Sequence, residues 1–268
     1  MKKITIALVL AVTLASCNSN DDQVNPIKNV SKKIKSIKTS TSGRVFEYGS
    51  NDLIKRENFY HGNDGILGTK DYVYNSDNKI IECNQQNRNK KVDGTYSNFF
   101  VNVTYEYENE LIISSLQTSG YLEDAARNIT RSTYEYSNNN LIKEIKEITN
   151  SFNNFYTIHT FYTYDNGKLK SKESKNFENG TYVGSSVITF LEYDSKINPE
   201  YKIYPESFSK IDFSISYNNI ISYIESANDK TSGYNMVITY NNMGLPEKKV
   251  QEYRNGTEFT YLYEYEID

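Results

Sequence analysis

One short stretch of the sequence predicts the fold, and it reads Tyr162-Thr163-Tyr164-Asp165-Asn166-Gly167-Lys168-Leu169. Aromatic and polar residues alternate in its first half, which is typical of a β-strand because strand side chains repeat every two residues. Asp165, Asn166 and Gly167 then favour a tight turn, since these residues tolerate positive φ or bond their own backbone. Leu169 then marks the start of a second strand. The stretch therefore predicts a β-hairpin.

The same order recurs along the chain at intervals of 23 to 33 residues. Each copy has an aromatic or apolar residue, any residue, a tyrosine, turn-forming residues and then Leu or Ile. The second-position tyrosines are Tyr48, Tyr74, Tyr107, Tyr136, Tyr164, Tyr193, Tyr217, Tyr240 and Tyr265. The copies that end at Tyr193, Tyr217 and Tyr240 are weaker. Self-similarity at such a period is the signature of a repeat architecture.

Nine such hairpins predict an all-β fold with roughly 17 to 19 strands. Sheets of that size curl, split or close, so we expect an antiparallel meander curled into a large twisted sheet, half-barrel or barrel. Two segments, 34–37 and 141–148, leave a helix open as the alternative, but strand is favoured for both. We assign residues 34–268 to one tyrosine-rich domain. One tyrosine of each repeat is expected to pack inward and its partner outward.

The first residues predict a lipoprotein signal. Lys2 and Lys3 precede an apolar run over residues 4–14, and Leu14-Ala15-Ser16-Cys17 follows with small residues before a cysteine. These features are typical of a secretory signal, and the run is shorter than a membrane span, which needs about 20 apolar residues. The four residues also resemble the bacterial lipobox. We therefore predict a signal peptide at 1–16 and lipid on Cys17.

A polar segment links the predicted lipid to the repeats. Residues 17–33 form a flexible linker in this interpretation, and two acyl chains on Cys17 would anchor the protein stably. The prediction is an outer-membrane, lipid-anchored protein whose folded part lies in water. Asn18 to Asp22 resembles the export signal of surface lipoproteins in Bacteroidetes. The cell surface and the periplasmic face both stay open.

The repeat, above all Tyr162 to Leu169, resembles the tyrosine–aspartate (YD) repeats of RHS-type proteins. It also looks like the YD-repeat-like lipoproteins common in Bacteroidetes. The resemblance covers residues from about 44 to 268. The copy at 162–169 has the full Tyr-Asp-x-Gly-x-Leu character, whereas other copies replace the aspartate by Asn, Ser, Glu or Gly. RHS-type repeats imply a shell-like β structure.

Composition excludes one class of partner. The net charge is -4, and it becomes -6 once Lys2 and Lys3 are removed with the signal. Nucleic-acid binders show basic patches and a high pI, so we expect no nucleic-acid partner. With Cys17 lipidated, Cys83 has no internal disulfide partner. We expect Cys83 to be a small buried apolar residue.

No residue pattern predicts a reaction. The two histidines, His61 and His159, have no nucleophile motif such as Gly-x-Ser-x-Gly with them, and His-Glu-x-x-His and paired Cys-x-x-Cys motifs are absent. Turn residues such as Asn63-Asp64 and Asp165-Asn166 could lend oxygens to calcium, but turn formation explains them better. We expect no cofactor, no metal and no enzyme activity.

The aromatic residues give the functional hypothesis. Repeat tyrosines are expected to be scaffold, whereas aromatics outside the repeat register are the candidates for binding, because loops vary on a constant frame. The candidates are Tyr96, Phe99, Phe100, Tyr121, Phe152 and Phe155. The favoured function is a cell-envelope module that binds a glycan, a peptide or a protein partner through an aromatic patch or cleft. A structural or adhesive array with exposed edge strands is the alternative, and an enzyme is the third.

Overall fold

The computed structural model describes residues 33–62, 65–90, 94–125, 127–212, 216–227 and 230–266. Cys17, the signal peptide and nearly all of the predicted linker lie outside these ranges. Sixteen antiparallel strands, each hydrogen-bonded to its neighbours in sequence, form a closed barrel in which β1 pairs with β16. The predicted all-β meander is confirmed in its barrel form.

The strands follow one another with few interruptions. Their bounds are β1 Lys33–Lys38, β2 Ser42–Tyr48, β3 Ile54–His61, β4 Ile66–Tyr74, β5 Ile80–Lys90, β6 Tyr96–Glu108, β7 Leu111–Tyr121, β8 Asn128–Ser137, β9 Asn140–Thr149, β10 Phe155–Asp165, β11 Lys168–Glu178, β12 Thr181–Ile197, β13 Asn218–Ala227, β14 Lys230–Tyr240, β15 Pro246–Tyr253 and β16 Glu258–Glu266. Both segments for which a helix was the alternative, 34–37 and 141–148, are strands.

The predicted turns form as their residue types require. At the turn after Tyr164, Asn166 and Gly167 have φ of 48° and 76°, and Asn179 and Gly180 have φ of 48° and 81°. Two successive positive φ angles match the twist of the flanking strands, and asparagine and glycine adopt them at least cost. These turns therefore hold the register of the hairpins.

In seven of the nine predicted repeats, the second tyrosine makes one recurring hydrogen bond. Its hydroxyl donates to the backbone carbonyl of the apolar residue that begins the second strand of the preceding hairpin. The bonds measure 2.6 to 2.9 Å and join Tyr48 to Ile34, Tyr74 to Ile54, Tyr107 to Ile80, Tyr136 to Ile112, Tyr164 to Leu141, Tyr193 to Leu169 and Tyr265 to Pro246. This hydrogen bond joins each of these seven repeats to the neighbouring strand that precedes it in the sheet.

Both tyrosines of a repeat point into the barrel, so the expectation of one inward and one outward ring was wrong. Tyr162 is 8% exposed and Tyr164 is half-buried with its hydroxyl on Leu141. Residues two apart share a face of a strand. The register shift beside this pair lies on the partner strand β11: Thr163 pairs with Ser171 and Tyr164 with Leu169, so that position 170 is skipped. The residue between the two tyrosines faces outward.

The barrel has two different ends. The proximal end holds Lys33 and Glu266, where the described chain begins and ends, together with the turns that follow the repeat tyrosines. The distal end holds the hairpin loops between β1 and β2, β3 and β4, and so on to β15 and β16. The predicted linker therefore joins the barrel at its proximal end.

An insertion replaces the turn of the sixth repeat. Beyond β12, residues 198–212 form the plug segment, made of a 3₁₀ helix over Pro199–Lys202 and helix α1 over Glu206–Ile211. Ile203, Tyr204 and Phe208 of the plug are buried in the barrel core. The seventh predicted copy is corrected by this finding, because Tyr217 lies before β13, is 54% exposed and belongs to no hairpin. The described strands accordingly number sixteen rather than 17 to 19.

The apolar core lies where the plug meets the wall. Ile34, Ile54, Ile80 and Ile112, which begin strands at the proximal end, are fully buried. Cys83 is buried as expected at 3% exposed, and burial raises its pKa to about 11. A thiol in such surroundings is a poor nucleophile.

Candidate ligand site in the barrel lumen

The plug is held to the wall by a buried charge network. Arg44 of β2 points inward, its Nη2 is 2.7 Å from Glu200 Oε2 of the plug, and its Nη1 is 3.3 Å from Glu57 Oε2 of β3. Glu57 Oε1 accepts hydrogen bonds from Tyr72 of the wall at 2.5 Å and Tyr204 of the plug at 2.7 Å. Charges are buried at low cost only when they are paired and bonded in this way.

The network keeps Glu200 ionised. Burial by itself would raise the pKa of this carboxyl, but the charges of Arg44 and Lys249 and the hydrogen bond from Arg44 outweigh burial and lower the pKa. The backbone adds a further tie, since Ile54 N donates to Ile203 O at 3.1 Å. The ion pair and the backbone hydrogen bond together hold the plug against the barrel wall.

Aromatic rings form a continuous row on the wall opposite the regular repeats. We call this row the tyrosine arc; its members are Phe190, Tyr223, Tyr234, Tyr253 and Phe259. Successive centroids are 6.2, 4.4, 6.0 and 5.8 Å apart. Edge contacts at these distances stabilise rings beyond their burial. The arc runs from the middle of β12 to the distal end of β16, where Phe259 is 46% exposed.

A cavity of about 360 Å³ lies against the arc. Phe190, Tyr223 and Tyr234 line it, and so do Lys249 and Gln251 of β15 and Asn219 of β13. Arg44 and Glu200 form its border with the plug. We call it the arc cavity. Its volume is within the range of small-molecule sites, about 300–1,000 Å³, and its lining combines aromatic rings with a few polar groups, as such sites do.

Two other cavities differ in lining. One of about 380 Å³ lies between β4–β11 and the plug residues Phe208 and Asp212; we call it the opposite cavity. Its wall is mostly polar, with Lys70, Lys146 and Glu144 among its residues. The third, also about 380 Å³, lies at the proximal end beside the repeat turns. The arc cavity is the one that contacts the tyrosine arc.

The predicted binding aromatics lie near one another at the distal end but not on one face. Phe99 and Tyr121 point inward, with ring centroids 5.3 Å apart. Tyr96 and Phe100 alternate with Phe99 and point outward, where Arg88 lies 4.7 Å and Arg127 5.0 Å from their ring centroids. Phe155 also points outward and is 39% exposed, and Phe152 is 82% exposed in a loop. They form no common cleft in the described part of the chain.

The two histidines lie apart from the lumen. His61 is exposed at the distal end of β3, and His159 points outward from β10, with its ring 5.1 Å from that of Phe177. In the ranges that the structure describes, no three His, Cys, Asp or Glu side chains are grouped to hold a metal ion.

The outer wall carries ion pairs both between neighbouring strands and within one strand. Lys143 and Glu135 form an ion pair at 2.6 Å, Arg56 and Asp71 one at 2.5 Å, and Lys175 and Glu173 one at 3.4 Å. Arg131 and Thr133 are exposed between them. This surface suits water. None of the described helices is long and apolar enough to span a membrane.

Sequence reasoning missed the residues of the arc cavity. The arc tyrosines Tyr223, Tyr234 and Tyr253 lie outside the repeat register and are surrounded by strand residues rather than loops, so the search for irregular loop aromatics passed over them. The weak copies at Tyr193 and Tyr217 were the available signal, because they bracket the insertion that becomes the plug.

Comparisons with known proteins found matches to two parts of the chain, the N-terminal segment and the barrel. Residues 1–18 match the model of the prokaryotic membrane lipoprotein lipid attachment site. This match supports the lipid anchor predicted at Cys17. The comparison with curated proteins gave no match. The YD-repeat resemblance gains no support from these comparisons and stays a prediction.

Solved structures similar to this chain include two porin-like proteins from Bacteroides. A porin-like protein from Bacteroides vulgatus superimposes with a TM-score of 0.59 at 13% identity, covering 88% of this chain and 99% of the other. A porin-like protein from Bacteroides uniformis has a TM-score of 0.38 at 14% identity, covering 87% and 98%; the likeness of fold is therefore argued from the first. Lipid attachment and this fold agree with the predicted location, lipid-anchored at the outer membrane. The chain thus combines a lipoprotein attachment site with a porin-like barrel fold.

Proposed function

We propose that the protein is a lipid-anchored envelope protein whose barrel lumen binds a small ligand of the glycan or peptide class. The observation that carries this proposal is the arc cavity, a concave site lined by aromatic rings in edge and tilted contact and by several polar side chains. Rings of this kind offer flat apolar faces with polar edges. Binding rather than catalysis is proposed, since Glu200, the carboxylate that lines the cavity, is engaged with Arg44 in holding the plug.

The membrane contact in this proposal is the lipid and not the wall. Charged side chains facing lipid cost about 2–4 kcal/mol each at the bilayer centre, and the outer wall carries several ion pairs such as Lys143–Glu135. Cys17→Ala should therefore move the protein from the membrane to the soluble fraction on cell fractionation. Continued membrane association of this variant would contradict lipid anchoring.

A structural array is less well supported by the fold. That alternative predicted exposed edge strands available for pairing, but β1 and β16 pair with each other, so none of the sixteen described strands is an edge. Closure removes the means by which such sheets associate. No observation favours the array over the binding module.

The test compares an inward with an outward tyrosine. The detergent-purified full-length lipoprotein is screened against panels of saccharides and short peptides, together with Tyr234→Leu in the arc and Tyr182→Leu on the outer wall. Tyr182 is 56% exposed. A ligand whose binding is lost in Tyr234→Leu and kept in Tyr182→Leu supports the lumen site. The reverse result would place binding outside, and no ligand in either panel would overturn the proposal.

A further inference from the structure

Lys249 is a buried cation that faces the arc cavity, and no carboxylate of the described residues contacts it directly, although Glu200 and Asp194 attract it from a distance. Its side chain comes from the middle of β15 and it is 8% exposed. Among the described residues its ammonium makes neither a hydrogen bond nor an ion pair, and its recorded contact is the ring of Tyr263, with Nζ 5.0 Å from the centroid. Buried charges are normally paired, because an uncompensated one costs several kcal/mol.

Asn219 of β13, which also lines the arc cavity, has a side-chain oxygen that lacks a hydrogen-bond donor in the described part of the chain. This residue is 1% exposed, and its side-chain nitrogen donates to Asp194 Oδ2 at 2.9 Å. Its side-chain oxygen Oδ1 is buried and has no hydrogen-bond partner among the described residues. Buried polar atoms without a partner are rare in folded proteins and call for an explanation.

Lys249 and Asn219 Oδ1 would be satisfied by two different chemical groups of one ligand. Lys249 requires an anionic acceptor, and Asn219 Oδ1 requires a donor such as a hydroxyl. Tyr223 and Tyr234, which line the same cavity, offer ring faces against which a flat or ring-shaped body can stack. A carboxylate, a hydroxyl and a ring together describe an acidic sugar.

We propose that the arc cavity binds a small acidic saccharide of the uronic-acid type, with its carboxylate at Lys249 and a hydroxyl at Asn219. This inference rests on the proposed function and names the ligand class of the same site. Two carboxylates attract Lys249 without contacting it, and both are bonded elsewhere: Glu200 to Arg44 at 2.7 Å and Asp194 to Asn219 at 2.9 Å. Burial lowers the pKa of Lys249, and the attraction of Glu200 offsets this only in part; a bound carboxylate would favour the charged form.

Charge separates this proposal from the binding of neutral sugars. A neutral saccharide can satisfy Asn219 and stack on the arc, but it leaves Lys249 without an anion. A charge-assisted hydrogen bond contributes about 1.5–3 kcal/mol. We therefore expect the acidic sugar to bind about 10- to 100-fold more tightly than its neutral counterpart.

Isothermal titration of the detergent-purified lipoprotein tests the preference, with D-glucuronate, D-glucose and benzoate as probes. The expected order is glucuronate first, with glucose and benzoate both weaker, since glucose lacks the carboxylate and benzoate lacks the hydroxyls. Equal binding of glucose and glucuronate would overturn the acidic-sugar inference and leave the proposed lumen site standing. Stronger binding of benzoate would also overturn it. Failure of all three probes would overturn the inference, whereas the proposed function would still be decided by its own saccharide and peptide panels.

A matched pair of variants assigns the effect to Lys249. Lys249→Met should weaken glucuronate binding about 10- to 100-fold and leave glucose binding unchanged. Lys248→Met, on the exposed outer face of the same strand, should change neither. Because Lys249→Met removes an unpaired buried charge, thermal stability should stay the same or rise. A marked loss of stability with unchanged glucuronate affinity would show that Lys249 serves the fold and would refute the site.

Discussion

The two sides of the barrel wall differ in how closely they follow the repeat. From β2 to β11, each second tyrosine bonds the carbonyl of the preceding hairpin and each turn is short. From β12 to β15, the insertion forms the plug, Tyr217 leaves the sheet, and Tyr240 donates to Asp194 instead of a carbonyl. The arc cavity, Lys249 and the unpartnered Asn219 oxygen all belong to this second side.

The difference teaches that the regular side supplies a frame and the irregular side carries the specialised groups. The regular copies hold their register by the hydrogen bond from the second tyrosine. A copy without this bond lacks that local stabilisation, and we infer that its residues serve another role. Groups that are costly for folding, such as an unpaired buried lysine, are tolerated where function requires them. Mutations can test whether the two sides differ in this way.

The largest expected effect is at the junction of the two sides. Arg44→Met removes the ion-pair partner of Glu57 and Glu200, and so leaves Glu57 with hydrogen bonds alone and Glu200 with only the more distant charge of Lys249. The expected loss is about 2–4 kcal/mol, below the usual cost of breaking a buried pair because Arg44 is 32% exposed. Chemical denaturation of the purified protein measures it.

The control for this prediction is an arginine on the outer wall. Arg131→Met, at an exposed position of β8, should change the free energy of unfolding by less than about 0.5 kcal/mol. If the two variants lost the same free energy of unfolding, Arg44 would not hold the plug. The junction would then be no more important for stability than the outer wall.

A smaller effect is expected within the regular side. Tyr136→Ala should destabilise the protein by about 2–3 kcal/mol, because it removes a half-buried ring and the 2.8 Å bond to Ile112 O. Tyr121→Ala should cost under about 1 kcal/mol, since Tyr121 is 43% exposed at the distal end. Similar denaturation midpoints for the two variants would count against the repeat register.

The smallest effect is a change in acid stability. Because the folded-state pKa of Glu200 lies below its ordinary value of 4.5, its ionised form stabilises the fold above that pH, and this contribution is lost as the pH falls further. In the Glu200→Gln variant, the free energy of unfolding should therefore decrease less between pH 7 and about pH 3 than it does in the unmodified protein. Chemical denaturation at several pH values measures it.

An exposed glutamate serves as the comparison. The pKa of Glu264 is also lowered, by hydrogen bonds from Lys38 and Ser36, but this pair lies at the surface, where ion pairs contribute little. Glu264→Gln should leave the acid limb of the stability curve nearly unchanged. If the two variants behave alike, the plug contact contributes no more than a surface pair.

Much of the frame could be predicted from local chemistry. Asn166-Gly167 and Asn179-Gly180 required tight turns, and alternation around them required strands, so the hairpins and their antiparallel order followed from the sequence. The orientation of the second tyrosine did not, although strand period places residues 162 and 164 on one face. Its bond to Leu141 O depends on the pairing of β10 with β9, which the turn residues after Tyr164 do not determine.

The site was less accessible to such reasoning. Lys249 and Lys248 are adjacent and chemically identical in the sequence, and only barrel closure decides which of them is buried in the lumen. The plug was missed because its short helix shows no long periodic pattern and its burial depends on wall residues such as Glu57 and Tyr72. Tertiary context, not local propensity, places these groups.

A pair of single-tryptophan proteins tests the central claim most directly. The chain contains no tryptophan, so Tyr234→Trp reports on the arc cavity alone and Tyr134→Trp on the opposite cavity alone. Titration with a saccharide that binds the lipoprotein should shift the emission of Tyr234→Trp and leave that of Tyr134→Trp unchanged. A shift in Tyr134→Trp without one in Tyr234→Trp would contradict the claim that the irregular side of the barrel is the ligand site.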